Sequence, residues 1–138
     1  MNASHRRYLH SSLLSFEKSL RLVNRYLDEG DEEGILYYRK TGLNSDQIIS
    51  AQKIIAGALL ELASLVEKLE LEPMEESTNQ ILMAEMSMNW VSLLDSRSDR
   101  LRGYGKVNPE IASILDPMLD HLAGMALALC KLNSQKLD

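Results

Sequence analysis

The chain has 138 residues, of which 45% are hydrophobic and 25% charged, and its formal net charge is −5. This composition excludes wholesale disorder, and the length suits one domain with a sizeable core, which we place at residues 1–138. The negative charge disfavours a nucleic-acid partner, because phosphate binding relies on clustered Lys and Arg.

Two features of the sequence bear on localisation. Residues 1–10 are polar and lack the apolar core of a signal peptide, and no uninterrupted apolar run reaches about 18 residues. The single thiol, Cys130, excludes an intrachain disulfide and suits a reducing compartment. We therefore expect a cytoplasmic protein without a membrane partner.

Apolar residues recur at alternating spacings of three and four residues in four stretches, which we call seams. An α-helix turns every 3.6 residues, so each seam forms one helix face that must be buried. The first and second seams are Leu9, Leu13, Phe16, Leu20, Val23 and Leu27, and Ile48, Ala51, Ile55, Ala58, Leu62, Leu65 and Leu69. The third and fourth seams are Met83, Met86, Trp90 and Leu93, and Ile111, Leu115, Met118, Leu122, Met125, Leu129 and Leu132. Since short connections favour antiparallel neighbours, the pattern predicts an all-α fold, an up-down-up-down four-helix bundle.

The long helices are bounded by glycine, proline and capping residues. We predict them over residues 5–28, 45–71, 75–102 and 109–133. Gly30 ends the first helix, and Asn108, the N-cap before Pro109, begins the last. Pro117 lies inside the fourth helix and predicts a kink or a restart there.

Residues 31–42 carry the signals of a short extra helix between helices one and two. Asp31 is a good N-cap, and two acids follow it. Arg39 and Lys40 fall in the last turn, which is the charge order that the helix dipole prefers, and Gly42 ends the pattern.

Two segments, residues 54–60 and 122–130, are apolar on more than one helix face. A helix that is hydrophobic all round is buried all round, whereas every helix of a four-helix monomer has an outer face. We therefore expect a homodimer that covers these segments. Coverage by the short extra helix is the competing explanation. The small residues that permit close approach are Gly57, Ala58, Ala123 and Ala126.

The sequence carries no recognised catalytic or metal-binding motif. None of its three histidines lies three residues after a glutamate, as a di-metal helical bundle requires. Glycine-rich phosphate loops, nucleophile elbows and paired cysteines are also missing. The sequence therefore favours a non-enzymatic protein with no metal and no cofactor.

One segment, residues 97–106, has a composition that packing does not explain. Its basic and aromatic side chains surround a glycine turn, a setting able to hold a phosphate or a carboxylate. The candidate binding residues are Arg97, Arg100, Arg102 and Tyr104. The alternative is a helix end whose cations pair with the acids of residues 28–33. Arg97, at the edge of the third seam, then needs a buried acidic partner.

Tyr37 and Tyr38 add aromatic candidates to this site if the predicted topology is correct. They precede Arg39 and Lys40, and Tyr often marks interfaces because it buries area while its hydroxyl stays wet. The alternative is that the short extra helix uses them to pack over the end of the bundle.

The same tract resembles the Arg-x4-His, Gly-Tyr segment of HEPN-type helical ribonucleases and toxins. Arg97 matches the motif arginine, and Gly103 and Tyr104 match the residues after the histidine. The resemblance covers about fifteen residues, and Arg102 stands where that family has its catalytic histidine. Without that imidazole the general acid-base step fails, so the resemblance implies a degenerate, inactive relative.

The leading hypothesis is a non-enzymatic interaction protein, acting as an adaptor, chaperone or regulatory subunit. Its partners are a second copy of the chain and another protein. The alternative is a small-ligand or nucleotide-binding bundle that uses the candidate residues of the 97–106 tract.

Overall fold

The computed structural model describes residues 1–132 and is mostly helical. Its elements are α1 (Ala3–Glu29), β1 (Glu32–Glu33), β2 (Tyr38–Arg39), α2 (Ser45–Lys68), α3 (Thr78–Leu94), the one-turn α4 (Ser98–Leu101) and α5 (Pro109–Cys130), and a 3₁₀ turn (Arg102–Tyr104) follows α4. The two strands form an antiparallel β-hairpin. The predicted all-α class is confirmed in this coarse sense.

The chain divides into two compact units at residues 74 and 75. In the first unit, Met1–Met74, α1 packs against α2, and we call these the first helix pair. In the second unit, Glu75–Asp138, α3 packs against α5, and we call these the second helix pair.

The bounds of the first helix pair follow from caps. The Asn2 side chain accepts a backbone hydrogen bond of 2.8 Å at the start of α1, and Gly30, with φ of 69°, ends α1 as predicted. Asn44 and Gln47 form a capping box that begins α2. α2 ends at Lys68, three residues before the predicted end.

The N-terminus of α1 holds the chain that follows α2. Glu70 adopts a left-handed φ of 53°, which turns the chain away from the helix axis. The Arg6 guanidinium donates hydrogen bonds to the carbonyls of Leu69 and Glu70 at 2.9 and 3.0 Å. His10 Nε2 lies 2.8 Å from the carbonyl oxygen of Glu72, to which it donates. These bonds satisfy carbonyls of the segment that follows α2.

The prediction of a helix over residues 31–42 is wrong, because this segment forms the β-hairpin. Glu32 pairs with Arg39 across the two strands. The carboxylate of Asp31, the predicted N-cap, instead accepts a 2.7 Å hydrogen bond from the backbone N–H of Thr41 on the far side of the hairpin.

Local conformational preferences explain why residues 31–42 form a hairpin and not a helix. A helix of this length is marginal, and a glycine in its middle costs about 1 kcal/mol relative to Ala. Gly34 sits at the turn, where its N–H donates to the carbonyl of Tyr37 at 2.8 Å. A Cβ on Gly34 would lie 2.5 Å from the Tyr37 ring, so the turn suits glycine, and tyrosine favours strands.

Helix three ends earlier than predicted. α3 stops at Leu94, and Arg97 has an extended ψ of 156° before α4 begins. The carboxylate of Asp116 in α5 accepts a 2.8 Å hydrogen bond from the Ser98 N–H at the first turn of α4. A contact from a distant helix therefore stabilises the break, which local sequence patterns do not reveal.

α5 begins as predicted and continues past its internal proline. Asn108 is its N-cap, and Pro109 occupies its first turn. The helix runs through Pro117 without a restart. α5 extends to Cys130, and the predicted end at Asn133 lies outside the described residues.

The buried apolar side chains of the described residues identify the packing faces. In the first pair Ile55 is buried at 7% exposure, and its neighbours along the second seam are mostly half-buried, as predicted. In the second pair the buried residues are Leu119, Ala123 and Ala126. None of these belongs to the fourth seam. The prediction that the fourth seam is the buried face of α5 is therefore wrong.

Small side chains explain this choice of face. Ala123 and Ala126, expected at a dimer contact, instead lie in the packing of the second pair at 2% and 6% exposure. Because the alanine side chain is small, two helices that meet at alanines can approach closely, and backbone atoms then fill the space between them. The large residues of the fourth seam consequently point away from the contact with α3.

Candidate functional site

Arg97 is held by acids of its own unit. Its guanidinium donates a hydrogen bond to Asp120 of α5, and its Nε lies 3.7 Å from a carboxylate oxygen of Asp99. The hydrogen bond to Asp120 raises the pKa of Arg97. The Asp120 side chain is 53% exposed, so the expectation that Arg97 pairs with a buried acid is wrong.

Asp116 and Ser98 form a second junction between α5 and α4. One carboxylate oxygen accepts the Ser98 N–H at 2.8 Å, and the other accepts the Ser98 hydroxyl at 2.5 Å. These two bonds lower the pKa of Asp116, because they favour its charged form. The carboxylate serves as an N-cap supplied by another helix.

The remaining residues of the tract are more exposed. Arg102 donates from Nε to the carbonyl of Asp99 at 3.2 Å, and Arg100 lies on the exposed side of α4. Tyr104 is 95% exposed, at the end of the 3₁₀ turn. Arg97 and Arg102 thus both contact Asp99, and acceptors within the protein already occupy some of the N–H donors of the two guanidinium groups. The geometry is that of a capped helix junction.

Tyr37 and Tyr38 lie in the first unit, on the β-hairpin, whereas residues 97–106 lie in the second unit. The Tyr37 hydroxyl donates to the Glu32 carboxylate at 3.1 Å, and this bond raises the pKa of Tyr37. Tyr38 is 72% exposed. The alternative, a short extra helix that uses these tyrosines to pack over the end of the bundle, is wrong in its helix, because the segment forms the β-hairpin.

Arg39 braces the base of the β-hairpin. Its guanidinium lies 3.7 Å from the centre of the Tyr26 ring, which is a cation–π contact with α1. It also pairs with Glu29 at 3.2 Å and with Glu32 at 3.1 Å. Two of these contacts, to Tyr26 and Glu29, fix the hairpin to the end of α1, and the pair with Glu32 joins the two strands.

The tip of the β-hairpin is a feature that sequence reasoning missed. Ile35 and Leu36 are 100% and 96% exposed. The signal was present, because a short apolar run follows Gly34 and precedes Tyr37. The tip presents two aliphatic side chains on a braced support.

A small cleft lies between the helices of the first pair. Its volume is about 200 Å³, and leucines of α1 and α2 line it together with His10 and Met74. Ligand sites usually measure about 300–1,000 Å³, so this cleft is small for one. Over the residues that the structure describes, no three His, Cys, Asp or Glu side chains are placed to hold a metal ion.

The fourth seam is the longest exposed apolar face of the second pair. Its exposed members are Ile111 (56%), Met118 (62%), Leu122 (48%), Met125 (50%), Leu129 (40%) and Leu132 (53%). Leu115 is half-buried. Ile114, beside the seam, is 65% exposed. The face runs the whole length of α5.

Two helices are long and apolar enough to cross a membrane. Windows of 18 residues in Ser45–Lys68 and Pro109–Cys130 have mean hydropathies of 1.5 and 1.2. Length and composition are the whole of this finding, and core helices of soluble proteins meet the same criterion. The expectation of no membrane partner therefore stays a prediction.

Comparison with known proteins identifies no family. No protein-family model, no curated protein and no solved structure matches the chain. The resemblance to HEPN proteins therefore rests on the motif residues of the 97–106 tract alone. Its motif arginine, Arg97, is bonded to Asp120.

Proposed function

We propose that this chain is a non-enzymatic helical interaction protein, a homodimer that acts in the cytoplasm as an adaptor, chaperone or regulatory subunit. The observation that carries the proposal is the exposure of long apolar side chains on each of the four long helices. Examples, all at least 50% exposed, are Phe16, Ile54, Met88 and Met118.

Covering these faces is energetically favourable. Burial of apolar surface contributes roughly 25 cal/mol per Å². Soluble monomers rarely leave contiguous apolar patches larger than a few hundred Å² in contact with water. Side chains spaced three and four apart along a helix fit the spaces on a facing helix, so helical partners suit these faces best.

The finer topology belongs to the same proposal. We infer that residues 1–138 form one domain, an up-down-up-down four-helix bundle. The support is that each unit packs two long helices, and that no other long helix lies between them in the sequence.

The alternative, a small-ligand or nucleotide-binding protein, has less support. It requires arginines that present their donors to an anion. Arg97 is instead bonded to Asp120, and Arg102 to the carbonyl of Asp99. An anion would have to displace a carboxylate that already neutralises the first of these cations.

Sedimentation velocity at micromolar concentration, together with a titration of ATP and GTP, tests the proposal against this alternative. We expect a dimeric mass and no nucleotide binding. Arg97→Ala and Arg102→Ala are the companion variants, and both should keep the dimeric mass. A strictly monomeric protein that binds a nucleotide, and loses that binding in Arg97→Ala, would overturn the proposal.

A further inference from the structure

α5 carries two apolar faces with different surroundings. One face, with Leu119, Ala123 and Ala126, is buried against α3. Cys130 continues this face, and its sulfur lies 3.4 Å from the Ser87 hydroxyl of α3. The other face is the fourth seam, whose large side chains are exposed. Packing of the second pair thus uses one face and leaves the other open.

The fourth seam is uncharged and nearly uniform. Each of its seven positions holds Ile, Leu or Met. Its exposed titratable neighbours are His121 near the middle and Glu110 and Lys131 at the two ends. The seam itself therefore adds no charge to a contact with a second copy.

The order of residues along the seam suits an antiparallel pair. In antiparallel coiled helices, each layer of the shared core pairs a residue that follows a three-residue spacing in one helix with a residue that follows a four-residue spacing in the other. If the two-fold axis passes residue 120, the midpoint of α5, the seam residues of the two helices form three different layers. These layers are Ile111 with Leu129, Leu115 with Met125, and Met118 with Leu122, each occurring twice by symmetry.

The charges at the ends of α5 favour the same direction. Glu110 lies in its first turn. Lys131 follows its last turn. Antiparallel packing brings the acidic end of one helix to the basic end of the other, whereas parallel packing brings acids to acids.

From these observations we propose that a second copy of this chain packs antiparallel along the fourth seam, with the two-fold axis at residue 120. This rests on the proposed function and names the surface that forms the homodimer. From Ile111 to Leu129 the seam extends about 27 Å at 1.5 Å per residue. A single helix pair is a small interface, below about 1,200 Å² in total, and such complexes are weak. We therefore expect a dissociation constant in the micromolar range.

The first test places a charge at the centre of the seam. In Met118→Glu the two symmetry-related carboxylates enter the apolar contact without a partner, and we expect dimer affinity to fall by about 100-fold or more. Met88→Glu is the matched control, because Met88 is 70% exposed on α3 and lies outside the seam. Met and Glu have similar helix propensity, so helicity should be unchanged in both. Sedimentation equilibrium and circular dichroism provide the measurements.

The second test fixes direction and register by cross-linking in a Cys130→Ser background. Leu115→Cys and Met125→Cys are made as separate chains. In the proposed dimer each position is offset from its own copy by ten residues, or about 15 Å, which exceeds the reach of a disulfide. Either variant alone should stay uncross-linked, and an oxidised mixture of the two should give a covalent dimer.

The outcomes separate this inference from the proposed function. A dimer that survives Met118→Glu would overturn the inference and leave the homodimer standing on another surface. Cross-linking of either single-cysteine chain by itself would show a parallel pair, and an uncross-linked mixture a different register; both contradict the inference. Loss of helix in Met118→Glu but not in Met88→Glu would show that the same chain covers the seam. A monomeric parent protein would contradict the inference and the proposed homodimer together.

Discussion

The two helix pairs of this chain use the same spacing of apolar residues but pack differently. In the second pair, Ala123 and Ala126 are almost fully covered, and α3 and α5 run close together. In the first pair, Ile55 is the one buried apolar side chain among the described residues, and a cleft of about 200 Å³ opens between leucines. The difference indicates that small residues set how closely two helices approach. The spacing of large residues does not.

Overpacking the close contact of the second pair should have the largest effect. Ala123→Leu forces extra methyl groups against α3, and we expect a loss of about 3 kcal/mol in the free energy of unfolding, the upper end for overpacked cores. Trp90 in α3 is the single tryptophan of the chain, so its fluorescence during urea unfolding follows the second pair.

The matched control for this change is Ala128→Leu on the exposed side of α5. It should alter the free energy of unfolding by less than about 0.5 kcal/mol. Equal effects of the two substitutions would mean that the small residues do not set the approach of the helices.

Truncating the core of the first pair should have a smaller effect. Ile55→Ala removes a side chain that is buried at 7% exposure, and we expect a loss of about 2 kcal/mol, the lower end for such changes. Circular dichroism during urea unfolding should show the loss. Ile49→Ala, at a site that is 53% exposed, is the control and should be nearly neutral. A loss in Ile55→Ala as large as that in Ala123→Leu would break the distinction between the two pairs.

Removing the brace of the β-hairpin should have a smaller effect again. Arg39→Ala loses the contact with Tyr26 and two ion pairs, together worth about 1 kcal/mol at a partly exposed site. Chymotrypsin should then cleave faster after Tyr37 and Tyr38. Arg25→Ala is the matched control, because its guanidinium lies 5.6 Å from the centre of the same ring but outside the hairpin. Equal cleavage rates in the two variants would contradict a bracing role for Arg39.

Features fixed by neighbouring residues were predictable from the sequence. The end of α1 at Gly30 and the start of α5 at Asn108 and Pro109 follow from local backbone chemistry, and both predictions are confirmed. The second seam is also confirmed, because Ile55 is buried and most of its neighbours along the seam are half-buried.

Features that depend on a choice between two local structures, or on contacts between residues far apart in the sequence, were not predictable in this way. The 31–42 segment had charges ordered for a helix, but Gly34 and the pairing of Glu32 with Arg39 favour a hairpin. α5 offers two apolar faces, and which one meets α3 depends on the fit between both helices. The candidate site has the same difficulty, since Asp120, the partner of Arg97, lies 23 residues away in the sequence.

The smallest effect we predict is at the junction of α4 and α5, and it appears only in acid. Hydrogen bonds from Ser98 lower the pKa of Asp116 in the folded protein. A carboxyl group with a lowered folded pKa contributes stability above its unfolded pKa, near 3.9, and this contribution is lost as pH falls through the folded value. The free energy of unfolding, followed by Trp90 fluorescence from neutral pH to below pH about 4, should therefore decline more steeply in the parent than in Asp116→Asn.

Two further variants decide whether this acid dependence belongs to the junction. Ser98→Ala removes the hydroxyl donor but keeps the backbone N–H, so its decline should lie between those of the parent and Asp116→Asn. Asp95→Asn changes an exposed aspartate at the end of α3 and should follow the parent curve. If Asp95→Asn flattened the curve as much as Asp116→Asn, the acid dependence would reflect net charge alone. A specific effect at Asp116 would instead show that a distant carboxylate caps α4, which is the contact that ends α3 before its sequence pattern does.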